Sequence, residues 1–156
     1  VVLDVGGYIG DTALWMLAKG ARFVHIYEPV YWREAMQNLE GKPAAVYPYA
    51  VWWSAGELEL AVDAASTGLR AGSTRVRTVP LPEVIDVHKP DIVKMDCEGC
   101  EWAILYMPCE PMRSAQWVIE VHGPEPPIVV KLEEYGLSVG VVTRLAPLVS
   151  VVVARR

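Results

Sequence analysis

A basic stripe is what this 156-residue chain most plainly lacks: 14 Lys and Arg stand against 19 Asp and Glu, a formal net charge of -5. Nucleic-acid binders replace phosphate counterions with clustered Lys and Arg, so the composition argues against nucleic acid and for small or uncharged substrates. No apolar run approaches the ~18 to 20 residues of a membrane span, and no charged-then-apolar leader precedes the first strand. A cytoplasmic protein with no membrane partner is the expectation. Cysteine is scarce and odd in number, three in all, which speaks against a disulfide framework and for a reducing compartment. Asparagine occurs once, at Asn38, and glutamine only at Gln37 and Gln116. Such a shortage of heat-labile amides points to a hot-growing source. Linkers, low-complexity tracts, internal repeats and an initiator Met are missing too, and a trimmed N-terminal extension is expected from the last.

What is present is a globular composition, 53% hydrophobic and 21% charged, enough for one domain over residues 1–156. Strand-like apolar runs alternate with helical patterns, the signature of an α/β fold with a mostly parallel sheet and helices on both faces. Strands are expected at Val1–Val5, Phe23–Tyr27, Ala45–Tyr49, Ile92–Met95 and Trp117–Val121. Helices are expected at Thr12–Ala18 with Asp11 as N-cap, Tyr31–Leu39, Cys100–Tyr106, and Ile128–Tyr135 after Pro126-Pro127. Val51–Val62 reads as an inserted hairpin or extended excursion, with a turn at Ser54-Ala55-Gly56, and Asp63–Thr74 as a loop. Val139–Arg144 and Leu148–Ala154 are joined too tightly for a parallel crossover, so the last strand must reverse.

Ligands of such sheets sit beyond the carboxyl ends of the strands. There the chain places Asp4-Val5-Gly6-Gly7-Tyr8-Ile9-Gly10-Asp11, a strand handing over to a helix through three glycines. Glycine permits φ > 0 and close ligand approach, and the following helix offers free N–H donors; an ordinary glycine-rich turn would read the same. Glu28 follows Gly10 at the end of the second strand, where a carboxylate can accept from both hydroxyls of a ribose. A dinucleotide pattern G-x-G-x-x-G is absent, since the later glycine places fall on Tyr8 and Asp11.

The second segment is Val93-Lys94-Met95-Asp96-Cys97-Glu98-Gly99-Cys100-Glu101-Trp102. Three carboxylates and a Lys at the edge of a buried strand are costly unless paired or used. Glu98 and Glu101 could serve a helix dipole, with Lys94 pairing one of them. Asp96 ends a strand at the ligand edge. Cys97 and Cys100 in a C-x-x-C spacing suggest an alternative class, a redox or zinc protein, although zinc wants four ligands. Glu120-Val121-His122 ends the fifth strand, and His122, whose pKa ordinarily lies near neutrality, is the first candidate for a general base. Asp96 is the second, as base or, with Glu98 or Glu120, as a cation ligand; no recognised coordination spacing supports a metal. The pairs Trp52-Trp53 and Tyr31-Trp32 could line an acceptor pocket or fill a core.

These segments together resemble FkbM-type methyltransferases. Lys94 to Glu101 is similar to their K-[IM]-D-x-E-G-x-E signature, and Asp4 to Asp11 to their D-[IV]-G-A-N-x-G-D loop. The loop differs at Gly7, where Ala is usual, and at Tyr8, where Asn is usual. Tyr27-Glu28-Pro29, Ala50 with Gly56-Glu57, and Glu120-Val121-His122 match further stations of the pattern along the whole chain. The resemblance implies a three-layer, Rossmann-like class I methyltransferase sheet with an antiparallel last strand. It implies S-adenosyl-L-methionine as cofactor, held by Asp4, Gly6, Gly7, Tyr8, Gly10, Glu28, Pro29 and Ala50. His122, Asp96 and Glu120 would be catalytic, and O-methylation of a hydroxyl on a small molecule or sugar is the implied reaction. A homodimer is compatible with this reading, as is a non-catalytic cofactor-binding module of the same fold.

Overall fold

The computed structural model describes residues 1–62, the backbone of 67–68, and 74–156. One sheet has seven strands in the order β10-β11-β9-β8-β1-β2-β3. Its parallel centre is β3 (Ala44–Tyr47), β2 (Val24–Tyr27), β1 (Val2–Val5), β8 (Ile92–Met95) and β9 (Gln116–His122). The expected reversal is present in β11 (Val149–Arg155), which inserts between β9 and β10 (Ser138–Ala146) and runs antiparallel to both. Burial explains the order. Strands β1 and β8, deep in the sheet, are short apolar runs, whereas β10 at the edge is exposed along nearly its whole length.

Helices cover both faces as expected. Helices α1 (Asp11–Ala18) and α2 (Trp32–Asn38) lie over a small core of Val2, Ala13, Val24, Ile26 and Leu39. The larger core, on the other face, joins Leu3, Val5, Trp117, Ile119 and Val121 to α3 (Leu81–His88), α4 (Cys109–Arg113) and α5 (Pro126–Glu134). Period-two alternation therefore sends odd β1 and β9 residues to the larger core. Asp4, Lys94, Asp96, Glu120 and His122 consequently share the opposite face, on three adjacent strands.

Several local expectations are corrected. Asp11 is the first helical residue and not the cap; the cap is Gly10 in a left-handed conformation, φ 89°, with no side-chain cap bond. Cys100–Tyr106 is helical over the expected span, but it is a 3₁₀ segment. The excursion after β3 is not a simple hairpin. Strands β4 (Ala50–Trp52) and β5 (Gly56–Val62) both pair with β7 (Thr74–Pro80), in parallel and antiparallel fashion, and β6 (Thr67–Gly68) adds to β5. Strand β7 and helix α3 had no counterpart in the sequence reading. Of the loop expected at Asp63–Thr74, residues 63–66 and 69–73 lie outside the described residues, and Thr74 begins β7.

Candidate functional site

The glycine loop is fixed by contacts in which a side chain would not fit. A Cβ on Gly6, at φ +76°, would stand 2.0 Å from the carbonyl oxygen of Asp96, and one on Gly7 would stand 2.3 Å from Ile26 Cγ2. The ends of β1 and β8 thus touch main chain to main chain. Gly10 packs instead on the Leu39 side chain, whose Cδ1 would be 2.9 Å from an added Cβ. Tyr8 also has positive φ, 47°, a region where Asn is tolerated and a bulky residue is not favoured. That conformation aims the Tyr8 N–H at Glu28 Oε2, 3.1 Å away.

Glu28 is the hub of this side. Its Oε1 accepts from the N–H groups of Val30 at 2.8 Å and Tyr31 at 3.0 Å, and it is 6% exposed. Burial pushes its pKa up, and the three backbone donors oppose that shift. A cavity of about 340 Å³ opens beside it, walled by Gly6, Tyr8, Tyr27, Glu28, Pro29, Tyr31, Ala50, Trp52, Asp96, Cys97, Glu98 and Cys100 among others. Of the residues the resemblance assigns to a cofactor, Gly6, Tyr8, Glu28, Pro29 and Ala50 reach this wall; Asp4, Gly7 and Gly10 lie behind it.

Asp4 is fully buried beneath the loop. Lys94 Nζ lies 3.1 Å from its Oδ1 as an ion pair, yet among the described residues neither oxygen has a partner in hydrogen-bond geometry. Burial pushes its pKa up, with Lys94 opposing. Lys94 also donates to the carbonyl of Gly6 at 2.9 Å and stands 3.8 Å from Asp96. It therefore ties β8 to the glycine loop instead of pairing with Glu98 or Glu101.

His122 and Glu120 are not on the cavity wall but meet Asp96 beside it. The three offer donor atoms that all lie within 4.8 Å of one another. The residue missed by sequence reasoning is Glu101, which is fully buried. Its Oε1 accepts from the His122 backbone N–H at 2.7 Å and lies 3.2 Å from His122 Nδ1, while Oε2 accepts from Gly99 N–H at 2.8 Å. Nothing in the spacing could join residues 21 positions apart on different elements. The Glu101 hydrogen bond, against the cost of burial, raises the His122 pKa to about 9, with Glu98 and Asp96 adding to the pull. The expected poise near neutrality is thereby shifted: the Glu101 contact favours the protonated form of the imidazole.

Cys97 and Cys100 are joined by a disulfide, and Cys109 is free. The odd count is one local C-x-x-C pair and one single thiol, and a bridge spanning three residues is not a disulfide framework. Glu98 at φ 55° and Gly99 at φ 124° form the tight turn that brings the pair together.

With the geometry in hand, comparison with known proteins gives a consistent result. The Methyltransferase FkbM domain model matches residues 4–136. Hexuronic acid methyltransferase AglP of Haloferax volcanii is 29% identical over 144 residues, 85% of this chain and 60% of that protein. The chain thus spans about three fifths of this relative. Methyltransferase FkbM from Methylobacillus flagellatus superposes with a TM-score of 0.67 at 17% identity, over 98% of this chain and 42% of that one. A precorrin-6y C5,15-methyltransferase from Geobacter metallireducens gives 0.60 at 15%, covering 99% and 79%. A Burkholderia thailandensis 1,6-didemethyltoxoflavin-N1-methyltransferase, solved with S-adenosylhomocysteine, gives 0.51 at 14%, covering 98% and 68%. At these identities the solved structures establish a shared methyltransferase fold.

Proposed function

This chain belongs to the FkbM methyltransferase family, and from that premise we propose that it binds S-adenosyl-L-methionine below the glycine loop and methylates a hydroxyl of a small molecule or sugar. The observation that carries the reading is the buried, loop-facing carboxylate pair. Glu28 stands on the cavity wall with its carboxylate already oriented by three main-chain donors, and Asp4 keeps an unpartnered oxygen behind the loop. Asp4 is charge-compensated by Lys94 behind the wall, so the ligand-facing acceptor is Glu28, whose remaining lone pairs a ligand hydroxyl can use. The residues present therefore fit the cofactor. Glu28 would accept from the ribose, Gly6 and Tyr8 would shape the loop, and Pro29 and Ala50 would bound the base.

When bound, that cofactor supplies a methyl group already activated on a sulfonium, so the protein's task is positioning and proton management. Asp96 is the acceptor-side group that faces the cavity, and it takes the proton of the attacking hydroxyl in this reading. His122 is a positioning residue. As a cation fixed by Glu101 it stands 3.6 Å from Glu120 and 3.7 Å from Glu98, holding together carboxylates that would otherwise repel. The sugar preference is favoured by the hexuronic acid methyltransferase among its relatives.

Calorimetric titration of S-adenosylmethionine into the wild type and into Glu28→Ala tests the reading. Binding by the wild type and loss of at least about tenfold in affinity by the variant is expected, one ribose-type charged hydrogen bond being worth ~1.5 to 3 kcal/mol. No binding by the wild type overturns it.

A further inference from the structure

Methyl transfer brings two molecules together, and the cavity is the size of one. At about 340 Å³ it lies near the lower bound of pockets that bury a single drug-sized ligand, ~300 to 1,000 Å³. With the proposed cofactor in it, the acceptor must rest on the rim. Trp52 forms part of that wall. Its ring packs on Trp53 with centroids 4.2 Å apart and a tilt of 32°, and Trp53 packs on Tyr106 at 4.9 Å and 49°. Trp53 and Tyr106 are 44% and 67% exposed. Two distant stretches supply these rings, the turn after β4 and the end of the 3₁₀ segment whose first residue, Cys100, also lines the cavity. A continuous run of three aromatic rings thus leads from the cavity wall to solvent.

We propose that Trp53 and Tyr106 are a platform for a neutral pyranose ring of a saccharide acceptor, next to the ring that is methylated. This rests on the methyl-transfer reading above. A pyranose has a face of C–H groups and a rim of hydroxyls. The C–H face packs on an aromatic ring whose π face is electron-rich, while the hydroxyls keep their water. An open, stepped run of rings suits successive residues of a sugar chain, whereas a free small molecule would need enclosure to bury its surface. Charge selects further. Asp96 and Glu98 line the cavity and Glu120 stands beside Asp96; these three carboxylates outnumber the cations Lys94 and His122 beside them, so the edge stays net negative and disfavours a uronic carboxylate.

The test is NMR titration of ¹⁵N-labelled protein, without cofactor, with maltose, cellobiose and glucuronic acid. Both or either disaccharide should shift the Trp53 indole N–H resonance saturably. The Trp53→Ala/Tyr106→Ala double variant should weaken that binding by about tenfold or more, as expected for removing aromatic anchors, with calorimetric affinity for S-adenosylmethionine unchanged. No saturable shift with either disaccharide overturns the proposal, and so does tighter binding of glucuronic acid. Concentration-dependent self-association of the wild type that the double variant abolishes also overturns it, in favour of a second copy on this surface. The two readings fail separately. Wild type that binds disaccharide but not S-adenosylmethionine sinks the methyl-transfer reading and supports the platform.

Discussion

On the β1–β2 side of the cavity Glu28 is held by main-chain N–H groups, and on the β8–β9 side Asp96, Glu98 and Glu120 are held by charged side chains. Glu28 takes three backbone donors from a loop shaped by glycine. Asp96, Glu98 and Glu120 lean instead on Lys94 and on His122, itself oriented by Glu101. The first arrangement is set by fold geometry and needs only that Glu28 be ionised. The second depends on which groups carry protons, because its cohesion is Coulombic. The two sides of one rim thus hold their carboxylates with different materials.

The largest expected effect comes from breaking the seam where the two sides touch. Gly6→Ala forces a Cβ against the Asp96 carbonyl in a left-handed conformation, and should cost about 3 kcal/mol or more. For a domain of this size that lowers the thermal midpoint by about 6 to 12 °C, read by calorimetric melting; an unchanged midpoint would show that the β1–β8 contact is not tight. Breaking the cradle alone comes next. Glu28→Ala leaves the N–H groups of Tyr8, Val30 and Tyr31 without their acceptor and should cost about 2 kcal/mol in chemical denaturation, beyond its effect on cofactor affinity. A smaller, pH-dependent effect isolates the other side. The folded-state pKa of His122 is raised from 6.5 to about 9, so the stability it contributes is fully present below pH 6.5 and is lost as pH rises through about 9. About 1 to 2 kcal/mol should disappear across that window, allowing for partial exposure, and His122→Gln should flatten the profile. A variant as steep as the wild type would refute the charge-held edge. The smallest effect sharpens the cradle: Tyr8→Asn relieves a left-handed tyrosine and should raise stability by about 1 kcal/mol in urea unfolding.

How much of this was legible in the sequence follows from what each residue answers to. Strands β1, β2, β8 and β9 are buried runs whose polar ends are forced to the ligand edge, and so the loop, Glu28, Asp96 and His122 could be placed from order alone. Strand β7 escaped because Thr74-Arg75-Val76-Arg77-Thr78 alternates charge with small apolar residues in a half-exposed sheet, and its neighbour β4 lies 22 residues away. Helix α4, only five residues long after Pro108, carries too little pattern to read. The Glu101–His122 bond was invisible for a different reason. It joins a 3₁₀ segment to a strand end, and the resulting shift of the ring to a cation is a property of the assembled edge. Tyr8 shows the converse. Its positive φ explains in backbone terms why Asn is usual at that place in the resembling family.

Strand β11 lies inside the sheet although β9 and β10 both precede it in the chain. The backbone edge of β9, the strand that bears Glu120 and His122, therefore lacks its native partner until residues 149–155 have been made. Residues 149–155 thus complete the sheet beside Glu120 and His122 only after strands β1, β2 and β3 have already been made. Assembly of this region is thus ordered in time, the Glu28 side before the Glu120–His122 side, and an arrested chain ending before Val149 would expose an unpaired strand to other chains.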